Sequence, residues 1–156
     1  MKWNLEGATV EELLEMAAMV EQSGFDFYAR LSARTDGLRM RNELKFLRDE
    51  EALHKAFFLE QLRARGGVPR GAVGSVLQDA LQREFFGPVD RMFASPDARD
   101  ADKALRLGED LEQKSIDFYG QLLTALDTAQ RAALEDIIAQ EESHRRKLGL
   151  IRGYSS

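Results

Sequence analysis

Residues 21–31 read EQSGFDFYARL, and residues 112–122 read EQKSIDFYGQL. The second stretch follows the first by 91 residues. About thirty residues after each stretch comes a Glu-x-x-His, at residues 51–54 and again at 141–144. We interpret this duplication as two similar helical hairpins. Each hairpin carries one carboxylate on its first helix and a Glu/His pair on its second.

The apolar residues around both stretches recur at spacings of three and four, the rhythm of a helix that buries one face in a bundle. This rhythm predicts four long helices, at about residues 9–33, 38–64, 101–126 and 128–151. The first and fourth of these helices begin with capping-box patterns, in which Thr9 and Asp127 are the capping residues. The fold class is therefore all-α, a four-helix bundle, with only a short tail after residue 151.

The segment between the hairpins, residues 66–100, holds all three prolines of the chain and several glycines. Gly66–Gly67 and Pro69 are expected to end the second helix. Between the breaks, residues 76–86 predict one short amphipathic helix, with Gly87 and Pro88 after it. A connection this long is expected if helices 2 and 3 run in the same direction and the chain crosses the length of the bundle. We take all 156 residues as a single domain.

The apolar residues with these spacings form one stripe, or seam, along each predicted helix. Six ionisable residues interrupt these seams near the middle of the helices, at matching positions. Burying four carboxylates in one layer would be prohibitive unless cations neutralised them. Two divalent ions would balance the four negative charges while both histidines stay neutral. These residues are the candidate metal ligands: Glu21, Glu51, His54, Glu112, Glu141 and His144.

The alternative for each ligand is a solvated surface charge on a helix whose seam is misphased by one residue. Against it stand the duplication and the use of the chain's only two histidines. Carboxylate oxygen with some imidazole suits iron or manganese better than calcium or copper. The same ligand pattern occurs in ferritin-like di-iron and di-manganese proteins. The predicted cofactor is two iron ions, with manganese as the alternative.

Three further residues lie close to the seams. Tyr28 and Tyr119 follow their glutamates by seven residues, on the same helix face. They are either core aromatics or phenols near the metals, where they would be candidate catalytic groups. Glu109 lies one turn before Glu112 and is either a fifth site carboxylate or a surface residue in a salt bridge.

Composition narrows the function. The chain has no cysteine, which excludes disulfides, thiolate metal sites and cysteine nucleophiles within it. Its net charge of −5 gives no support to a nucleic-acid partner or an anionic membrane surface. No run of residues approaches the ~20 apolar residues of a membrane span, and the start is no secretory signal. A cytoplasmic location is expected.

The motifs EQSGFDFY, EEALH, EQKSIDFY and EESH resemble those of the rubrerythrin branch of the ferritin-like superfamily. The resemblance covers both hairpins and implies a ferritin-like bundle with a carboxylate-bridged di-iron centre. It implies that the six candidate ligands bind the irons, with Glu51 and Glu141 as the bridges. Rubrerythrins reduce hydrogen peroxide to water and commonly dimerise, so peroxide or O2 as oxidant and a homodimer are expected.

Two departures from the family pattern affect these expectations. No rubredoxin-type centre can form without cysteine, so an external electron donor is expected. Rubrerythrins also carry an extra glutamate three residues after the third helix's ordinary ligand, and here that position is Ser115. The function that the resemblance implies is still that of a di-iron oxidoreductase. The alternatives are a non-catalytic protein of iron storage or delivery and a di-manganese catalase-like enzyme.

Overall fold

The computed structural model describes residues 3–66 and 74–155, and every regular element within these ranges is helical. A π-helical turn at Gln82–Phe86 joins two short helices of the crossover, and 3₁₀ turns occupy Pro96–Arg99 and Leu123–Ala125. The α-helices are α1 (Val10–Ala33), α2 (Leu38–Ala64), α3 (Ser75–Leu81), α4 (Gly87–Ala94), α5 (Ala101–Leu122) and α6 (Thr128–Ser155).

Both predicted capping boxes form. The Thr9 hydroxyl accepts a hydrogen bond from the Glu12 backbone N–H, and the Glu12 carboxylate accepts one from the Thr9 backbone. At the start of α6, Asp127 Oδ1 accepts from the backbone of Gln130 at 2.9 Å, and Gln130 Oε1 accepts from the Asp127 backbone at 3.4 Å. Such caps contribute about 1 kcal/mol each by satisfying backbone donors that the first turn leaves free.

The long helices pair as hairpins, α1 on α2 and α5 on α6, and the hairpins meet through α1 on α5 and α2 on α6. The apolar seams face one another, and Leu14, Leu47, Leu105 and Leu134 are almost fully buried. Burying one such side chain contributes about 1.5–3 kcal/mol. The predicted all-α four-helix bundle is thus confirmed, with the mid-helix carboxylates at its centre.

The crossover differs from the prediction. The predicted helix at 76–86 instead belongs to a helical path from Ser75 to Ala94 that passes through Pro88. Proline has no N–H to donate to the carbonyl four residues back, which belongs to Glu84. The π turn accommodates this defect, and Lys114 Nζ donates to the Glu84 carbonyl at 3.3 Å. The chain therefore stays helical at Gly87 and Pro88, where the sequence predicted that the helix would end. The π turn and Lys114 of α5 make this possible.

The helix ends also differ slightly. α5 ends at Leu122 and is followed by a 3₁₀ turn, so the predicted end at Leu126 is too late. α6 continues to Ser155, so the tail predicted after Ile151 is helical as far as the described residues reach. α2 ends at Ala64 as predicted, and Gly66 has the positive φ of +92° that glycine adopts readily. Gly67 and Pro69 lie outside the described residues.

Within the described ranges, no helix combines the length with the apolar character that a bilayer crossing requires.

Candidate metal centre

The structure brings the six predicted ligands together at the middle of α1, α2, α5 and α6. Each is at most 4% exposed. They form two groups, in each of which one ligand atom per residue lies within 4.8 Å of the others. Glu51 and Glu141 belong to both groups. The first group is completed by Glu21 and His54, and the second by Glu112 and His144.

The histidines face the centre through the same ring atom. Nδ1 of His54 lies 2.8 Å from Oε1 of Glu141, and Nδ1 of His144 lies 3.2 Å from Oε1 of Glu51. Each histidine of one hairpin therefore contacts the shared carboxylate of the other. The two imidazole rings are nearly parallel, with centroids 5.8 Å apart. The duplicated sequence thus gives a site with approximate two-fold symmetry.

The two tyrosines also cross between the hairpins. Tyr28 on α1 donates a hydrogen bond to Oε1 of Glu112 at 2.5 Å, and Tyr119 on α5 donates to Oε1 of Glu21 at 2.7 Å. Both side chains are buried. The tyrosine of each repeat therefore orients the glutamate that begins the other repeat. We call Glu21 and Glu112 the terminal glutamates, and Glu51 and Glu141, which belong to both ligand groups, the shared glutamates. Neither phenol is only a core aromatic.

The four carboxylates divide into two kinds. Burial raises the pKa of Glu51 and of Glu141 well above the usual value, and the charges of Glu21 and Glu112 raise both further. For Glu112 burial acts in the same upward direction, but polar interactions with Glu141 and His144 outweigh it and lower its pKa to about 2. The pKa of Glu21 is lowered too, since polar interactions with Glu51 and His54 outweigh its burial. Without metal, the shared glutamates therefore keep their protons to a higher pH than the terminal glutamates do.

The tyrosines and His54 respond to the same charges. Burial, followed by the charge of Glu112, raises the pKa of Tyr28 well above its usual value, and burial with Glu21 does the same for Tyr119. Both phenols therefore stay protonated and keep donating. Burial would lower the pKa of His54, but its hydrogen bond and charge interaction with Glu21 outweigh that effect and raise it.

The residues fit a pair of divalent cations. Oε2 of Glu21 and Oε2 of Glu112 are buried and have no hydrogen-bond partner among the described residues. A buried carboxylate oxygen with no partner is costly, and a metal ion would satisfy it. The donor set of four carboxylates and two imidazoles matches iron or manganese in chemistry.

Glu109 does not join the other six. Its Oε2 lies 3.2 Å from Nε of Arg152 on α6, so the structure favours the salt-bridge alternative over a fifth site carboxylate. The side chain of Glu109 is 24% exposed, whereas the ligands are buried. This agrees with the repeat, which pairs Glu21 with Glu112 and not with Glu109.

Gln140 contacts a candidate ligand, and the apolar seams did not predict this contact. Its Oε1 lies 2.6 Å from Nε2 of His54 and can only accept, so Nε2 carries the proton. That leaves the lone pair of Nδ1 to face the centre once its own proton is lost. Gln140 lies off the apolar face of α6, and its only signal in the sequence is its position beside Glu141. In the other repeat the equivalent residue is Glu50, and no hydrogen bond among the described residues joins it to His144.

Replacing Gln140 with leucine should weaken binding of one metal ion by about 10–100-fold, since an imidazole without its outer hydrogen bond is a poorer and less oriented ligand. The measurement is calorimetric titration of the metal-free protein with Co²⁺ or Mn²⁺. Glu50→Leu is the matched control at the equivalent position and should leave both binding steps unchanged. Equal affinities of Gln140→Leu and the unaltered protein would contradict this role.

Comparison with known proteins agrees with the geometry. The family model for rubrerythrin matches residues 12–151, which include all six candidate ligands. No curated protein sequence matches the chain. Among solved structures, a Thermotoga maritima protein named as a candidate ferritin-like diiron-carboxylate protein superposes with a TM-score of 0.67 at 20% identity, over 95% of this chain and 97% of its own. That likeness supports the fold.

The family match spans most of the chain and includes the motifs on all four long helices. Together with the buried carboxylates and histidines, it supports a two-metal carboxylate site. The chain belongs to the rubrerythrin family.

Proposed function

We propose that the protein is a di-iron oxidoreductase of rubrerythrin type that reacts with hydrogen peroxide or O2. The observation that carries this proposal is the pair of overlapping ligand groups, each with carboxylates and one histidine, buried between two hairpins. Four carboxyl groups buried in one layer favour bound cations, because a buried carboxylate whose charge is not neutralised destabilises the fold.

The contacts support a role for each residue in this proposal. Glu21 and His54, whose Oε2 and Nδ1 are 3.5 Å apart, would hold one ion. Glu112 and His144, 3.6 Å apart through Oε1 and Nδ1, would hold the other. The shared carboxylates of Glu51 and Glu141 would bridge the two. When bound, the iron pair supplies two electrons and Lewis-acid polarisation of an O–O bond.

The overall reaction consumes two protons and two electrons for each hydrogen peroxide and yields two waters. The chain has no cysteine and so no thiol of its own to supply electrons, and an external reductant is required. Tyr28 and Tyr119 would keep the terminal glutamates oriented while the oxidation state changes. Both phenols donate hydrogen bonds to candidate ligands, which makes both tyrosines candidate proton donors.

The test is to load the protein with Fe²⁺ without oxygen and mix it rapidly with hydrogen peroxide or O2, following oxidation by absorbance. We expect faster oxidation by peroxide and continued peroxide consumption when a reductant is supplied. Oxidation no faster than with O2 would reject the peroxidase assignment. A single round of iron uptake and oxidation, without continued consumption, would instead indicate storage or delivery, and activity with manganese alone a catalase-like enzyme.

A further inference from the structure

Each repeat sends a row of three aromatic rings outward from the candidate metal centre. In the second repeat the row is Tyr119, Phe118 and Trp3, and we call it the tryptophan row. The ring centroids of Tyr119 and Phe118 are 5.6 Å apart, and those of Phe118 and Trp3 are 5.5 Å apart. These separations are those of aromatic rings in direct contact. The inner end of the row is the phenol that donates a hydrogen bond to Glu21.

The first repeat builds the equivalent row but ends it differently. Tyr28 contacts Phe27 with ring centroids 5.2 Å apart, and Phe27 contacts Phe93 of α4 at 6.1 Å. The guanidinium carbons of Arg30 and Arg34 lie 4.8 and 5.1 Å from the centroid of the Phe93 ring. A phenyl ring is much harder to oxidise than an indole or a phenol, and two cations oppose a further positive charge beside them. This phenylalanine row therefore has no oxidisable outer end.

Trp3 is the outer end of the tryptophan row and the only tryptophan of the chain. It is 7% exposed and lines a surface groove together with Asn4, Asp79 and Arg83. The groove has a volume of about 420 Å³, which is in the range of sites for small molecules. The indole N–H of Trp3 is buried without a hydrogen-bond partner among the described residues, although a buried tryptophan usually has one. Packing alone does not account for this residue, since an unsatisfied buried donor costs stability.

A second branch of rings leaves Tyr119 through α2. The ring of Phe58 lies 5.2 Å from that of Tyr119, and the ring of Phe57 lies 5.3 Å from that of Phe58. This branch holds no indole or phenol beyond Tyr119. Of the rows formed by the described residues, the tryptophan row is thus the one that joins an oxidisable group at the centre to an oxidisable group at the surface.

We propose that the tryptophan row is a one-electron relay between the hydrogen-bonded pair of Tyr119 and Glu21 and a small reductant, such as an enediol, bound in the groove over Trp3. Its role in turnover rests on the proposed function, because peroxide reacting at the centre supplies the oxidising equivalent. An oxidised Tyr119 has lost one electron and also its phenolic proton, which Oε1 of Glu21 accepts over 2.7 Å.

The return step restores both particles. Trp3 passes one electron through the ring of Phe118 to Tyr119, and the phenoxyl oxygen takes its proton back from Glu21. The reductant then gives one electron to the oxidised indole and releases one proton to water. In sum, one phenoxyl radical is reduced to a phenol and one enediol is oxidised by one electron. Reductants that cannot enter the bundle can thereby supply single electrons to its centre.

The relay can be tested without any redox-active metal. The full chain is loaded with Zn²⁺, which has no redox chemistry of its own. Every protein carries Tyr154→Phe, so that Tyr28 and Tyr119 are its only tyrosines. A laser flash with a soluble ruthenium photo-oxidant generates the tryptophan radical, and transient absorbance follows its decay and the rise of a tyrosyl radical. We expect the tyrosyl radical to form in a first-order step whose rate does not depend on protein concentration.

Three variants locate the path. Tyr119→Phe should lose the tyrosyl radical and keep the tryptophan radical, whereas Tyr28→Phe, the matched change in the phenylalanine row, should keep both rate and yield. Trp3→Phe should yield no tyrosyl radical, because the two tyrosines are buried away from the photo-oxidant. Trp3→Phe leaves the ligands untouched, so it decides the matter if Tyr119→Phe loses zinc.

The relay would be overturned by an undiminished tyrosyl radical in Trp3→Phe or by equal losses in the two tyrosine variants. A tryptophan radical that yields no tyrosyl radical in the parent protein would overturn it too.

The groove is tested with ascorbate, an anionic enediol, added before the flash. It should shorten the lifetime of the tyrosyl radical, and Val76→Glu should reduce this effect, because Val76 lines the groove and is 68% exposed. Leu150→Glu is the matched control, since Leu150 is 69% exposed and does not line the groove. Equal effects of ascorbate in the two variants would contradict a binding site over Trp3.

The relay and the proposed function can fail separately, because neither flash experiment uses iron or peroxide. A protein whose iron does not react with peroxide, but in which Trp3 and Tyr119 exchange an electron as expected, would reject the proposed function and retain the relay. A protein that reduces peroxide continuously, but forms no tyrosyl radical from Trp3, would do the reverse.

Discussion

Replacing Glu51 and Glu141 together with glutamine should abolish binding of both metal ions and leave the fold intact. These two side chains are the ones that both ligand groups share. A glutamine offers a neutral amide where a bridge needs a negative charge, so both ions lose a ligand and half of the neutralising charge. We expect the metal affinity to fall by more than about 100-fold, beyond the loss caused by removing an outer hydrogen bond.

The fold should tolerate the change for a reason specific to these positions. The raised pKa values of Glu51 and Glu141 favour the neutral form of both side chains when no metal is bound. Glutamine has the same shape and no charge to bury. The metal-free double variant should therefore unfold at nearly the same temperature as the metal-free parent at pH 5. Near pH 8 it should unfold at a higher temperature, because the parent's two carboxyl groups ionise more readily in the unfolded chain than in the folded one, and glutamine does not ionise.

The measurement combines metal content with thermal unfolding of the metal-free forms. The matched control is Glu50→Gln with Glu142→Gln, the adjacent glutamates, which belong to neither ligand group. The control should keep two ions per chain. A Glu51→Gln, Glu141→Gln protein that still binds both ions would show that the shared carboxylates are not bridges.

Loading the protein with Fe²⁺ or Mn²⁺ should raise its unfolding temperature by about 10–20 °C. A ligand at 100 times its dissociation constant stabilises the folded state by about 2.7 kcal/mol per site, and each kcal/mol shifts the midpoint of a chain of this length by about 2–4 °C. Two sites together give the stated range. A chelator should reverse the shift.

The shift should also grow as the pH rises from 5 to 8. A carboxyl with a raised folded pKa contributes stability that is present below its unfolded pKa and is lost as pH rises through the folded value, and Glu51 and Glu141 are of this kind. Glu112, with a pKa lowered to about 2, stays ionised in the folded protein over the whole interval. The metal-free protein therefore weakens toward pH 8, while metal ions replace the bound protons and remove that loss.

Calorimetry of the metal-free and metal-loaded protein at pH 5, 6.5 and 8 checks both parts. The metal-free midpoint should fall over this series and the gap between the two forms should widen. A gap that is constant with pH would mean that metal binding releases no protons from the buried glutamates.

Much of the fold could be predicted from the sequence because two periodicities coincide in it. The three-and-four spacing set the four long helices, and the duplication set which glutamates lie at equal depth. Glu112 rather than Glu109 was thereby identified as the partner of Glu21, and in the structure Glu109 pairs with Arg152. The burial of all six candidate ligands follows from the same seams.

Other features depend on contacts between distant residues, which periodicity does not report. The helix continues through Pro88 because Lys114 of α5 donates a hydrogen bond to the Glu84 carbonyl, which proline cannot do. Gln140 orients His54 from outside the apolar face. The tyrosines were visible as a repeat, but their crossed bonds to the other hairpin's glutamate appear only once the hairpins are assembled.

The number of metal ions per chain is the most direct measure of whether this bundle is built around a dimetal site. Elemental analysis of the protein purified without chelator and reloaded with Fe²⁺ should give two irons per chain, and the Glu51→Gln, Glu141→Gln variant should give none. A parent protein that retains no iron after reloading would contradict the site and leave the six buried residues without their proposed role.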